Sequence, residues 1–221
     1  MATVVSPPPE PIRTLADLME RLGGVPPKRV RWRPLPGTAT EKDVIEVDAH
    51  EDRLCELVDG TLVEKPMGFR ESALAMSLGK WLIDFVNPRN LGIVSGESGM
   101  MRIFPGLVRI PDVAFASWKR FPNRRMPNEP IPDLAPDLVV EVLSESNTEQ
   151  EMARKYREYF QAGVRLVWEV DPKNRTVEVF TAADQSTRLN ESQTLDGGNV
   201  LPGFTLSLSQ LFGELDRQGN G

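Results

Sequence analysis

The sequence predicts one mixed α/β domain, and three stretches carry that expectation. Asp137-Leu138-Val139-Val140-Glu141-Val142-Leu143 is an almost unbroken apolar run, the pattern of a central strand covered on both faces. A helical segment follows to Ala162, and Val164–Val170 is again strand-like, so strand, helix and strand succeed one another as in a parallel crossover. Upstream, Leu74, Leu78, Trp81, Leu82 and Phe85 recur at helical spacing.

The elements follow in order. Residues 1–39 form a Pro-rich N-terminal extension with one short helix, opened by Thr14 and Asp17 and stopped by Gly23-Gly24 and Pro26-Pro27. Lys28 to Thr40 is rich in Pro and Arg and reads as irregular. The domain itself spans 40–213, its compact part starting near Cys55, with a tail over 214–221. Two apolar runs around Asp59-Gly60 signal a hairpin. A helix covers Glu71–Val86, closed by Pro88 and Gly92. Ile93–Ser95, Met100–Phe104 and Leu107–Ala116 read as strands, and a long Pro-rich connection over 119–136 leads to the central strand. Ser144–Asn147 cap the next helix, and Gly163 stops it. Thr176–Phe180 adds an antiparallel strand, and Leu201–Phe212 a strand end with a short helix.

Composition narrows the chemistry. The 221 residues are 40% hydrophobic and 26% charged, with a net charge of −6. The apolar runs are broken by charge, so no membrane partner is expected. The single cysteine, Cys55, rules out an internal disulfide and fits a cytoplasmic setting. With one histidine, His50, in an acidic stretch, neither a Cys-rich zinc site nor a multi-His site can be assembled within the chain. Any catalysis must therefore use carboxylates, lysines and a hard metal. The acidic balance weighs against a strong nucleic-acid binder, although Trp118–Arg125 packs four cations and two aromatics into eight residues, as a basic patch or a solvated loop.

The candidate site residues are acids in apolar strands. Asp112 follows Pro111 inside a strand, and Glu141 sits mid-run, where an unpartnered carboxylate would cost several kcal/mol. Glu141 must have a cation, be neutral or hold a metal. Asp137 shares its face by the two-residue period. Lys155 flanks the stripe Met152, Tyr156 and Phe160 of the following helix, so its stem can cross the core edge toward the strand or snorkel to solvent.

Taken in order, Cys55-Glu56-Leu57-Val58-Asp59-Gly60, Arg109-Ile110-Pro111-Asp112-Val113, Pro136–Ser146, Lys155–Val164 and Val167–Pro172 resemble the bacterial Uma-two family. That family lies within the PD-(D/E)xK nuclease superfamily. The resemblance covers roughly Thr40–Phe212 and implies a restriction-endonuclease-like mixed β-sheet core flanked by helices. It further implies a metal-dependent endonuclease acting on DNA, with Asp112 and Glu141 holding Mg2+ (or Mn2+) and the Val142 carbonyl as a third ligand. Glu71 would be an auxiliary acid, and Glu56 and Asp137 would be supporting acids. Leu143 stands where the motif lysine is expected, and the resemblance implies that Lys155 replaces it. The alternative is a catalytically inactive nuclease-fold protein that binds a partner or forms a homodimer.

Overall fold

The fold is seen in a computed structural model, which describes residues 12–51, 53–66 and 68–218. Five helices and twelve strands occur among them. In chain order they are α1 (Leu15–Arg21), α2 (Glu41–Glu51), β1 (Cys55–Val58), β2 (Thr61–Glu64), α3 (Phe69–Val86), β3 (Gly92–Ser95), β4 (Met101–Phe104), β5 (Leu107–Arg109) and β6 (Val113–Ser117). After the long connection come β7 (Leu138–Val142), α4 (Glu149–Gln161), β8 (Leu166–Asp171), β9 (Thr176–Ala182), β10 (Gln185–Asn190), β11 (Thr194–Asp196), β12 (Thr205–Ser207) and α5 (Leu208–Gly213).

A six-stranded sheet in the order β10-β9-β8-β7-β6-β3 is the backbone of the domain. β7 and β8 run parallel, joined through α4, and every other pairing in this sheet is antiparallel. β7 is buried at all five positions, which explains its unbroken apolar run. Its alternate residues serve two cores. Leu138, Val140 and Val142 pack with Leu74, Leu78 and Leu82 of α3 and with Leu211 and Phe212 of α5. Val139 packs on the other face with Met152, Tyr156 and Tyr159 of α4. That second face is also covered by a four-stranded sheet, β2-β1-β5-β4, whose Val58, Val63, Met101 and Ile103 join the same core. α2 covers the far side of the small sheet through Val44 and Val47, against Cys55, Leu57 and Leu62.

Three expectations need correction. Leu107–Ala116 is two strands rather than one. The chain leaves the small sheet after Arg109, passes Pro111, which lacks an N–H for a ladder, and enters the large sheet at Val113. The N-terminal extension is no appendage: Leu18, Leu22 and Val25 belong to the α4-side core. Gly23, at φ +81°, lies so close to α4 that a Cβ there would sit 2.8 Å from the Glu151 backbone. Finally, α2 and the edge strand β10 are regular elements where none was expected.

The expected short helix does begin at Thr14, whose hydroxyl and the Asp17 carboxylate form a capping box. Asp59 and Gly60 turn the β1–β2 hairpin with φ of 49° and 68°. Among the described residues no helix is long and apolar enough to cross a membrane.

Candidate active site

The register of the large sheet sets the geometry. Val113 pairs with Val140 across β6 and β7, and continuing that antiparallel ladder by one residue sets Asp112 opposite Glu141. Residues so paired project to one face with Cβ atoms about 4.5–5.5 Å apart. The Asp112 N–H donates to the Val140 carbonyl at 3.1 Å, so the acid is tied to β7 although it lies outside β6. Asp112 Oδ2 also accepts the Val142 N–H at 2.6 Å, which fixes the carboxylate against the strand that carries Glu141.

Each acid bears an ammonium. Lys65 Nζ lies 2.8 Å from Asp112 Oδ1, and both side chains are 4% exposed. Lys155 Nζ lies 3.3 and 3.2 Å from the two Glu141 oxygens and 3.1 Å from Glu56 Oε1. Tyr159, buried on α4, donates its hydroxyl to Glu141 Oε1 at 2.7 Å. Glu56 in turn accepts from Arg109 Nη1 at 2.6 Å and from the Ile110 N–H at 3.2 Å. Arg109 completes the chain of charges by reaching Glu158 on α4.

Burial and charge act against each other here. Burial raises the Glu141 carboxyl above its ordinary value; Lys155 opposes this, while Asp112 and Glu56 reinforce it. Burial also acts on Glu56, but Lys155, Arg109 and the Ile110 N–H outweigh it and bring its carboxyl down to about 2. Burial would lower the Lys155 ammonium, yet Glu141 and Glu56 hold it above the usual lysine range. Burial and the neighbouring acids push the Tyr159 hydroxyl well up, so it is a donor at neutral pH.

Of the acids expected at the site, Asp112, Glu141 and Glu56 meet, and Lys155 joins them. Two expected residues do not. Asp137 immediately precedes β7, four residues back from Glu141 and roughly 13 Å from it at strand rise. Its carboxylate binds Arg120 (2.9 Å), Arg165 (3.1 Å) and the Ser117 N–H (2.7 Å), so it ties down the far ends of β6 and β7. Glu71 lies on α3, the helix covering the opposite face of the sheet. Its carboxylate folds back so tightly that a Cβ on Gly68 would meet Oε2 at 2.1 Å. It lines a cleft of about 740 Å3 with Leu143, Ser144 and Asp171. The basic stretch 119–125 follows β6, at the end away from Asp112.

Lys65, Arg109 and Tyr159 escaped the sequence reading as site residues. One signal existed for Lys65: it continues the parity of Thr61 and Val63, and Val63 faces the α4-side core. A charge at an inward position of a strand's continuation is a marker worth weighing. His50, by contrast, is exposed on α2 with Nδ1 against the Glu46 carbonyl. Cys55 is buried, its thiol pushed up to about 12 chiefly by burial.

Two hard carboxylates as cross-strand neighbours suit magnesium or manganese, which binds through one or two such groups and keeps several waters. Among the described residues no group of three His, Cys, Asp or Glu side chains is placed to hold a metal. An ion held by Asp112 and Glu141 would have these two carboxylates as its side-chain ligands and would enter against the ammoniums already there.

Comparison with known proteins agrees with this architecture. A crystal structure from Anabaena variabilis, described as "a putative nuclease belonging to DUF820", matches with a TM-score of 0.66 at 22% identity. The match covers 74% of this chain and 92% of that one. It establishes a shared fold. No curated protein matches the chain. The model of the Uma2 family, described as "Putative restriction endonuclease", matches residues 42–209, which include every residue of the carboxylate–lysine cluster. The chain belongs to the Uma2 family.

Proposed function

We propose that the protein is a divalent-metal-dependent endonuclease that hydrolyses phosphodiester bonds of DNA at the Asp112–Glu141 pair. One observation carries the reading: two buried carboxylates, Glu141 on β7 and Asp112 opposite it just before β6, each flanked by a lysine ammonium. Asp112 and Glu141 would hold the ion, with the Val142 carbonyl as a candidate third ligand. A bound Mg2+ or Mn2+ would supply Lewis acidity and a water of lowered pKa. The chain's own groups do the rest. Lys155, shared between Glu141 and Glu56, places positive charge where a phosphate approaches and can orient the attacking water. Tyr159 holds the Glu141 carboxylate in one orientation by its hydrogen bond. Glu56 helps keep Lys155 charged and in place, and Arg109 holds Glu56 in turn.

Supercoiled-plasmid nicking with Mg2+ against EDTA, for wild type and Asp112→Asn, tests the reading. Metal-dependent nicking by the wild type alone is expected, and equal activity of the two proteins would overturn it.

A second reading has its own support: every oxygen of Asp112, Glu141 and Glu56 already has a partner within the chain. A closed network of that kind also suits a catalytically silent member that binds a partner or dimerises. Calorimetry separates the two, because absence of Mg2+ and Mn2+ binding together with a stable dimer favours the silent protein.

A further inference from the structure

Two lysines flank the acid pair, and they are held differently. Lys155 springs from the middle of α4 and spans two carboxylates, Glu56 and Glu141. Lys65 springs from the short link between β2 and α3, and its ammonium meets one carboxylate oxygen, Asp112 Oδ1, and one carbonyl, that of Glu97 in the β3–β4 turn at 3.1 Å. Asp112 Oδ2 is committed to the Val142 N–H. Oδ1 is thus the oxygen through which Asp112 can ligate an ion, and it is the oxygen that Lys65 holds. Asp112 and Glu97, the two residues that Lys65 binds, also border a cavity of about 180 Å3 lined by Ser72, Ala75 and Gly79 of α3. An ion on Oδ1 would sit beside the Lys65 ammonium and repel it, and Lys65 has no second carboxylate to hold it there, whereas Lys155 keeps Glu56 as a partner when an ion approaches Glu141.

We infer that Lys65 is a placeholder cation: it neutralises Asp112 in the metal-free protein, competes with the divalent ion for Oδ1, and is released toward the substrate phosphate when the ion binds. The inference rests on the metal reading of the site and adds an order of events to it. Cation replaces cation, so the buried carboxylate is never left bare. The freed ammonium becomes a phosphate-binding group only in the metal-loaded state. A site without metal would then also lack one of its phosphate contacts.

The test uses Mn2+ titration calorimetry on wild type and Lys65→Met at one fixed pH. Removal of the competitor is expected to tighten Mn2+ binding by about tenfold or more, tenfold corresponding to about 1.4 kcal/mol of relieved competition. Equal or weaker binding in Lys65→Met overturns the inference and leaves the metal site standing. No binding by either protein removes the metal reading and the placeholder together.

If Lys65→Met does not fold, the wild type still decides. Amine acetylation read by mass spectrometry should leave Lys65 protected without metal, as its 4% exposure requires, and label it with Mn2+ present, Lys155 remaining protected. Lys65 labelling unchanged by Mn2+ that demonstrably binds overturns the proposal.

Discussion

Arg29 and Glu151 form a two-pronged ion pair across 122 positions of sequence, with Nη2–Oε1 at 2.7 Å and Nη1–Oε2 at 2.9 Å. Both side chains are buried, and Arg29 also donates to the carbonyls of Glu64 and Ser146. The pair clamps the N-terminal segment onto the first turn of α4, four residues before Lys155. Arg29→Met strands the Glu151 carboxylate, and a buried ion pair broken from one side costs about 3–5 kcal/mol. The double variant Arg29→Met with Glu151→Leu should regain most of that loss, because an apolar replacement of both partners is close to neutral. Urea unfolding of the single and double variants measures the difference.

Glu56 gives a pH signature. Its carboxyl is held at about 2 against an ordinary 4.5, so its ionised form stabilises the folded state above pH 4.5. That contribution is lost as pH falls from about 4.5 toward 2. Glu56→Gln should therefore be less stable at neutral pH and show a flatter fall in stability across this window. Thermal melts from pH 2 to 7 decide it, and an unchanged slope would place the acid sensitivity elsewhere.

Tyr159 is a positioning residue for Glu141 in the proposed metal site. Tyr159→Phe removes a 2.7 Å hydrogen bond and little volume. Metal affinity is expected to drop about 10–100-fold, as for other partners of ligating carboxylates. Mn2+ calorimetry reads this directly, and far-UV circular dichroism should show an unaltered fold.

Asp137 serves as the opposite control. Asp137→Asn weakens the bonds to Arg120, Arg165 and the Ser117 N–H and should cost about 1–3 kcal/mol of stability. Metal affinity and nicking at the Asp112–Glu141 pair should be unmoved at a separation of roughly 13 Å. A loss of metal binding without unfolding would contradict its assignment to the far end of the sheet.

How much of this was legible depended on whether local pattern and tertiary role coincided. β7 announced itself because both its faces are buried, and the β1–β2 hairpin because Asp59-Gly60 suits positive φ. α1 was legible through its cap and its glycine stop. α2 was not, since only Val44 and Val47 of its eleven residues are buried and its apolar stripe is thin. β10 was missed for the same reason: it is an edge strand, exposed at five of its six positions. The β5–β6 break was hidden because Leu107–Ala116 stays apolar while changing sheets. At the site, Asp112 and Glu141 stood out as acids among apolar residues, whereas Lys65 lies next to Pro66 beyond a strand end, and only the folded chain reveals the carboxylate it meets.

The passage of the chain from β5 to β6 ties the site to the seam between the two sheets. Arg109 ends a strand of the small sheet, Val113 begins one of the large sheet, and Asp112 is the last residue before the ladder resumes. Glu56 and Lys65 likewise belong to the small-sheet side, Glu141 to the large. Any slippage of one layer over the other would pull the cluster's members apart, so an intact charge cluster doubles as a gauge of how well the two layers are docked.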